Sequence, residues 1–290
     1  VQMPATPQQM RALLRRSVPA VSGQRAPDAE SVTTPLAILT AMRDHEFSIW
    51  LQPKVDAVTL VPVGVEALAR WRQKDGSFVS PDLFIVAAER AGIIDQLSRE
   101  LLQIALREAA GLHAAGFPLA ISLNLSALWL DDLSLPDLLL RSAQEQGLKP
   151  ADIMLEVTET GVTKDIAIAL DVLSRLRLKG FGLSIDDFGI GYSSFEQLGR
   201  IPFTEMKLDR SFVQRSTRDA AARAILESSM AMAGKLDLRT VAEGVETEAE
   251  LQLMRELGFD DIQGYLIARP MPRDELVRWL RQSSGRAAVR

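Results

Sequence analysis

From about residue 36 onward, short apolar runs alternate along the chain with longer amphipathic stretches. The run over residues 119–124 has almost no polar alternation, which is typical of a strand covered on both faces. Such alternation of strands with helices predicts repeated βα units and a mainly parallel sheet. Eight strands are predicted, over residues 47–55, 61–69, 119–124, 153–157, 182–187, 204–208, 239–243 and 262–267. Together they predict an α/β fold, a TIM-like (β/α)8 barrel.

The first two strands depart from the regular barrel. Only residues 56–60 connect them, which is too short for a helical crossover, so we expect an antiparallel first strand. Helix starts are indicated after the seventh and fifth strands, where Thr247 with Glu250 and Ser193 with Glu196 have the spacing of a capping box.

Residues 1–35 differ from the rest, because they hold five of the fourteen prolines and only one short helical stretch, over residues 8–16. The sequence over residues 3–14 resembles the last helix of a response-regulator receiver domain, with Met3 where a lysine is usual. We expect residues 1–35 to be a linker or the remnant of an upstream receiver-like domain, and residues 36–290 to form the barrel domain.

Composition narrows the function classes. Hydrophobic residues make up 47% of the chain, enough for a sizeable core. The chain has no cysteine, which excludes disulfides, thiolate metal sites and cysteine nucleophiles and fits a reducing cytosol. No stretch approaches the roughly 18 apolar residues of a membrane span, and no signal-peptide pattern opens the chain. We therefore expect no membrane span and a cytoplasmic location.

Charge and histidine content limit the ligand. A net charge of −5 argues against a surface that binds a nucleic acid polymer, but it is compatible with a small phosphate-containing ligand. Only two histidines are present, so a metal here must be held mainly by oxygen atoms.

Polar side chains lie at the C-terminal ends of most predicted strands, and these ends converge on one mouth in a barrel. Because so many acidic groups would repel one another, we expect cations between them. Oxygen ligands without cysteine or histidine favour Mg²⁺ or Mn²⁺. The residues are Glu66, Asn124, Glu156, Glu159, Asp186, Asp187, Lys207, Asp209, Glu243, Glu246 and Gln263.

The adjacent aspartates Asp186 and Asp187 are the most informative pair. Neighbouring side chains of a strand point to opposite faces, so two adjacent aspartates share one site only where the strand is ending. Together with Glu66, Asn124 and Glu156 they predict two cations about 3.5–4 Å apart, bridged by one aspartate, as in two-metal phosphoryl chemistry.

These residues lie within motifs that resemble the EAL domain family, in the family's order and over roughly residues 38–285. The motifs are Gln52-Pro53, Glu66-Ala67-Leu68, Asn124-Leu125-Ser126, Glu156-Val157-Thr158-Glu159, Asp186-Asp187-Phe188-Gly189-Ile190-Gly191-Tyr192-Ser193-Ser194, Lys207-Leu208-Asp209-Arg210, Glu243-Gly244-Val245-Glu246 and Gln263-Gly264-Tyr265.

The resemblance implies a phosphodiesterase that opens cyclic di-GMP to linear pGpG with two Mg²⁺ or Mn²⁺ ions. We expect Ca²⁺ to inhibit it, because calcium prefers longer bonds and looser geometry. By resemblance, one metal is bound by Glu66, Asn124, Glu156 and Asp186, and the other by Asp186 and Asp187. Lys207 would position the attacking water and Glu243 would assist its activation. Substrate contacts are implied for Gln52, Arg70, Asp209, Gln263 and Tyr265.

The resemblance also implies regulation. Glu159 and Glu246 would support the loop over residues 188–194, and a homodimer would form through helices next to that loop and pass on signals from an upstream sensory or receiver domain. Ile190 stands in this loop where many members carry a small or hydroxylated residue, and we expect it to tune rate or dimer coupling.

Three alternatives stay open. The first is a catalytically inactive EAL module that acts as a cyclic di-GMP receptor, although such modules typically lack several metal ligands that this chain retains. The second is an unrelated magnesium-dependent barrel enzyme acting on an enolisable substrate, and the third is a protein-interaction scaffold.

Overall fold

The computed structural model of the chain describes residues 33–158, 166–190 and 199–287. Helix α1 (Pro35–Arg43) begins the described fold, with Thr34 as its N-cap residue. The predicted helix over residues 8–16 lies outside the described residues, so the linker or receiver-like interpretation of residues 1–35 stays a prediction.

The strands form a closed, mixed barrel surrounded by helices, as predicted. Seven neighbouring strands run in the order β9-β8-β7-β6-β5-β4-β2, and β1 closes the barrel by pairing with both β9 and β2. Strand β1 is antiparallel to both neighbours, which confirms the prediction drawn from the short connection over residues 56–60. The strands are β1 (Phe47–Asp56), β2 (Pro62–Arg72), β3 (Phe78–Val79), β4 (Ala120–Asn124), β5 (Ile153–Thr158), β6 (Gly182–Phe188), β7 (Glu205–Leu208), β8 (Arg239–Ala242) and β9 (Asp261–Ile262).

Helices follow most strands and cover the barrel. The capping box predicted at Thr247 is present: its hydroxyl accepts from Glu250 N, and the Glu250 carboxylate accepts from Thr247 N. Ser193 and Glu196, the other predicted pair, lie outside the described residues.

No described helix combines the length and apolarity needed to cross a bilayer. The remaining helices are α2 (Pro81–Arg90), α3 (Ile94–Ala114), α4 (Leu135–Glu145), α5 (Ile166–Leu178), α6 (Arg210–Arg215), α7 (Ala220–Lys235), α8 (Glu248–Leu257) and α9 (Arg273–Ala287).

The last predicted strand, over residues 262–267, is wrong beyond its first residue. Only Asp261–Ile262 pair as β9, and the chain then turns back against the segment after β8. Gly264 packs so closely there that an added Cβ would lie 2.1 Å from the Val245 carbonyl oxygen. The turn is held by backbone hydrogen bonds from Val245 N to Gln263 O and from Leu266 N to Val245 O. The short strand β3, which pairs with the end of β2, was not predicted.

Strand β6 shows how the barrel separates its apolar wall from its polar interior. Leu183 and Ile185 belong to the main apolar cluster, whereas the alternate residues Ser184 and Asp186 are buried and polar. This is the period-two alternation of a strand. The interior therefore carries polar groups below the mouth as well as at it.

A buried ion pair lies in the lower layer of the barrel. Lys54 on β1 contacts the carboxylate of Glu205 at the start of β7, and both side chains are buried. Lys54 stands two residues beyond Gln52, which pairs in register with Glu66. Lys54 and Glu205 therefore form a polar layer beneath the predicted metal ligands.

Candidate active site

The mouth of the barrel gathers four of the predicted acidic residues around one buried lysine. Lys207 Nζ lies 3.0 Å from Glu156 Oε1 and 3.0 Å from Asp186 Oδ1. The same nitrogen lies 2.6 Å from Glu243 Oε1 and 3.9 Å from Glu66 Oε1. Neither carboxylate oxygen of Glu156 makes a hydrogen bond of regular geometry with another described residue, so the contact of this carboxylate with Lys207 is an ion pair. Four carboxylates from separate parts of the chain thus surround one ammonium group.

The crowding of these charges shifts their proton affinities. Burial raises the pKa of Glu156 well above its usual range, although Lys207 opposes the effect. Burial likewise raises the pKa of Glu243 to about 8, against the attraction of Lys207. Burial and the neighbouring Asp186 raise the pKa of Asp187 to about 6. Burial alone lowers the pKa of the Lys207 ammonium, but its carboxylate neighbours, Glu156 foremost, raise it well above its usual range.

The backbone between Asp186 and Asp187 explains how adjacent aspartates share this mouth. The pairing of β6 with β7 is irregular between Ile185 and Phe188, and Asp187 has a φ of 55°, in the left-handed region. Such a bulge redirects a side chain that would otherwise point to the opposite face. We expected the strand to end at the Asp186-Asp187 pair, but it continues to Phe188. The irregularity within the strand, and not its end, lets both side chains reach the mouth.

The donor set fits divalent cations. Asp186, Asp187 and Glu243 each place one carboxylate oxygen within 4.8 Å of the other two. The amide of Asn124 lies beside Glu66, with its nitrogen 3.4 Å from Glu66 Oε1. Counting Glu66 and Glu156, five carboxylates face a single ammonium, and hard cations bound by oxygen would offset the excess of negative charge. Glu243 lies beside the two aspartates, although the resemblance to the EAL family implied only an assisting role for it and did not include it among the metal ligands.

Two buried amides connect Glu66 to the neighbouring strand and loop. The Gln263 amide donates to a Glu66 carboxylate oxygen and, at 3.2 Å, to Gln52 Oε1. Gln52 in turn donates to the carbonyl of Ala268 at 3.1 Å. Gln52 and Gln263 were predicted to contact substrate; in the structure Gln263 contacts Glu66 directly, and Gln52 contacts Gln263.

An apolar cavity of about 420 Å³ opens beside Glu66 and Asn124. It extends from the end of β2 towards α2 and α3, where Pro81, Ile85 and Glu89 line it. Apolar pockets with a few polar groups are typical ligand sites. No sequence pattern predicted this cavity, because its lining combines residues from several separate strands and helices that meet only in the fold, among them Ile49, Leu123 and Leu139.

Two stacks of an arginine on an aromatic ring lie near the mouth. The Arg70 guanidinium is 5.4 Å from the ring centre of Trp50, and that of Arg269 is 4.3 Å from the ring centre of Tyr265. Burial lowers the pKa of Arg70, while Tyr265 and Glu66 act to raise it, so these groups are within electrostatic range of one another. Arg70 and Tyr265 were predicted substrate contacts, whereas Arg269 was not.

Comparison with known proteins identifies the family. The EAL domain model matches residues 36–270. The chain belongs to the EAL domain family. Over 241 residues this EAL domain is 37% identical to the bifunctional diguanylate cyclase/cyclic di-GMP phosphodiesterase MucR of Pseudomonas aeruginosa, covering 82% of this chain and 35% of MucR. Over 235 residues it is 35% identical to the cyclic di-GMP phosphodiesterase RocR of the same organism, covering 81% of this chain and 60% of RocR.

Solved structures agree with this assignment. The EAL domain aligns with the MucR phosphodiesterase in its c-di-GMP complex at a TM-score of 0.79 and 37% identity, covering 82% of this chain and 97% of that one. It aligns with EAL enzyme Bd1971, in the form bound to cAMP and cyclic di-GMP, at a TM-score of 0.81 and 28% identity, covering 94% and 75% of the two chains. The chain spans 35% of the length of MucR and 60% of that of RocR.

The remaining predicted residues of the EAL domain have mixed outcomes. Asp209 is buried and caps helix α6 by accepting from Ser211 N at 2.8 Å, so its predicted substrate contact stays a prediction. Glu246 is exposed, and its backbone N donates to Glu250. Glu159 and most of the loop that it was predicted to support lie outside the described residues. Ile190, at the described edge of that loop, is 57% exposed.

Proposed function

We propose that this EAL domain hydrolyses one phosphodiester bond of cyclic di-GMP to give linear pGpG, and so lowers the level of a second messenger in bacterial signalling. The ring of carboxylates around buried Lys207 at the barrel mouth is the feature that supports this activity most strongly. The printed names of MucR and RocR, which describe cyclic di-GMP phosphodiesterases, support the same substrate.

The proposed reaction uses two Mg²⁺ or Mn²⁺ ions. Glu66, Asn124, Glu156 and Asp186 would hold one ion, and Asp186 with Asp187 the other. When bound, such ions activate water and offset the charge of the phosphate. Ca²⁺ should inhibit, because it favours longer bonds and more ligands than a compact two-ion site provides.

Lys207 positions the attacking water, and Glu243 takes part in its deprotonation. The Lys207 ammonium, held by its carboxylate neighbours, donates to the attacking water and orients it towards phosphorus. Glu243, whose carboxylate is 2.6 Å from Lys207 Nζ, would be ionised once cations offset the surrounding negative charge, and would then assist by accepting a proton from that water. The water oxygen bonds to phosphorus and the bond from phosphorus to one ribose oxygen breaks. The departing ribose oxygen takes up a proton from solvent, and Glu243 returns its proton to solvent.

The apolar cavity beside Glu66 suits one guanine base of this substrate. Ile85 and Pro81 offer an apolar surface for the flat ring, and Glu89 offers a carboxylate acceptor for ring N–H groups. Gln52, Arg70, Asp209, Gln263 and Tyr265 remain the proposed contacts to the rest of the nucleotide.

We also propose that the domain is regulated through a dimer interface. A homodimer would form through helices next to the loop over residues 188–194, and Glu159 and Glu246 would support that loop. An upstream sensory or receiver domain would act on the site through the same loop. The expected location is the cytoplasm. Analytical ultracentrifugation tests the dimer: a mass that stays monomeric at every concentration, with full activity, would remove it.

Chromatography of cyclic di-GMP incubated with the purified protein tests the function. We expect pGpG with Mg²⁺ or Mn²⁺, no product with excess chelator, and loss of activity when Ca²⁺ is added. Undiminished turnover in chelator, or activity restored by zinc alone, would contradict the metal assignment. Binding of cyclic di-GMP without any product would favour the receptor alternative.

A further inference from the structure

The guanidinium of Arg269 stacks on the ring of Tyr265 at the barrel mouth. The guanidinium lies 4.3 Å from the ring centre, the Tyr265 side chain is 50% exposed, and Arg269 itself is exposed. A cation at this distance is held by the electrostatic attraction of the ring face, which restricts an otherwise flexible side chain. The stack thus favours one placement of the Arg269 guanidinium at the surface.

The backbone around Arg269 is tied to the level of the metal ligands. The carbonyl of Ala268, the residue before the stretch Arg269-Pro270, accepts a hydrogen bond from Gln52, which pairs in register with Glu66. Two residues after Arg269, Met271 exchanges both backbone hydrogen bonds with Leu51 on β1. The stack is therefore anchored on both sides to the strand that borders Glu66.

The charge of Arg269 has no counterpart in the described part of the chain. Its guanidinium makes no ion pair or side-chain hydrogen bond with any described residue, unlike Arg273 nearby, which pairs with Glu108. A solvated surface arginine would explain exposure alone. It would not explain a close stack on a ring that the same loop presents at the edge of the site.

We infer that Arg269, fixed on Tyr265, binds the second phosphodiester of the substrate, the one that is not cut. This inference rests on the proposed function. A cyclic dinucleotide carries two phosphodiesters, and the carboxylates around Lys207 with their cations can take only one of them. The second is an anion that needs a donor, and a guanidinium fork matches phosphate oxygens. Arg269 would therefore determine specificity for cyclic dinucleotides over nucleotides with one phosphodiester.

The test compares Arg269→Ala, Arg269→Lys and the parent, with Arg278→Ala as the matched control. Arg278 is an exposed arginine on the outer helix α9, away from the mouth. Turnover of cyclic di-GMP gives KM and kcat, and inhibition by the linear dinucleotide GpG, which has a single phosphodiester, gives Ki. A charge-assisted contact to phosphate is worth about tenfold to hundredfold in affinity.

We expect Arg269→Ala to raise the KM for cyclic di-GMP about tenfold or more, with kcat and the Ki for GpG nearly unchanged. Arg269→Lys should keep part of the affinity, and Arg278→Ala should match the parent. An unchanged KM in Arg269→Ala, or an equal rise in KM and in Ki for GpG, would overturn the inference. If the parent does not hydrolyse cyclic di-GMP, the proposed function fails separately, and calorimetric affinities for the two ligands decide the inference by the same criteria.

Discussion

Replacing Lys207 with methionine probes the centre of the site, because it removes one ammonium and keeps an unbranched chain in the barrel. At an effective dielectric constant of about 20, each of the two contacts at 3.0 Å corresponds to about 5–6 kcal/mol of direct attraction. The desolvation of buried Lys207 offsets most of this, so we expect a net loss of about 3–5 kcal/mol in the metal-free protein.

The effect on catalysis should be separable from this loss of stability. A single well-placed donor to the transition state is worth about 10²–10³ in rate, so Lys207→Met should lower kcat by that factor in Mg²⁺. Lys54→Met is the matched control, because Lys54 is also buried and its partner, Glu205, lies in the layer below. It should lose comparable stability, about 3–5 kcal/mol, and keep kcat within about threefold.

Denaturant unfolding of the metal-free proteins measures stability, and chromatography of cyclic di-GMP in Mg²⁺ measures kcat. Equal loss of activity in both variants would refute the catalytic role of Lys207, since the loss would then follow fold stability. Turnover by Lys207→Met at the parent rate would refute it as well.

Three further predictions concern the metals and the fold. Glu66→Ala should bind Mg²⁺ more weakly in calorimetry and lose several orders of magnitude in turnover while keeping the parent circular dichroism spectrum; parent-like metal affinity would contradict this. The metal-free protein should lose stability as the pH rises from about 4.5 to about 8, because the folded state raises the pKa of Glu243 to about 8 and therefore holds a proton that the unfolded chain releases. Saturating Mg²⁺ should remove this pH dependence in thermal denaturation. A stability that rises over the same pH range would contradict the prediction. Thr247→Ala should cost about 1 kcal/mol of unfolding free energy through the lost helix cap, without a change in kcat; an unchanged denaturation midpoint would contradict it.

Much of the fold was predictable because its signals are local. The apolar runs of β4 to β8 and the short connection over residues 56–60 depend on neighbouring residues alone, and both were confirmed. The last strand failed for the opposite reason. The close approach of Gly264 to Val245 is a contact between segments that are separated along the chain. The pattern of neighbouring residues therefore does not predict where the pairing of this strand ends.

The site was predictable to the extent that barrel strand ends converge. That rule alone brought Glu66, Glu156, Asp186 and Lys207 to one mouth. It could not give the bulge that turns Asp187, because the direction of that side chain depends on backbone geometry within the strand. The contacts of Gln52 with Gln263, and of Tyr265 with Arg269, depend on how loops pack after the barrel has closed.

Hydrolysis of cyclic di-GMP is tested most directly by the mass spectrum of the product formed in water enriched in oxygen-18, with the purified protein and Mg²⁺. Attack of water on phosphorus predicts pGpG carrying one heavy oxygen in its terminal phosphate, at a yield of many molecules per protein. Recovery of intact, unlabelled cyclic di-GMP after prolonged incubation, with the nucleotide bound to a folded and metal-loaded protein, would contradict it.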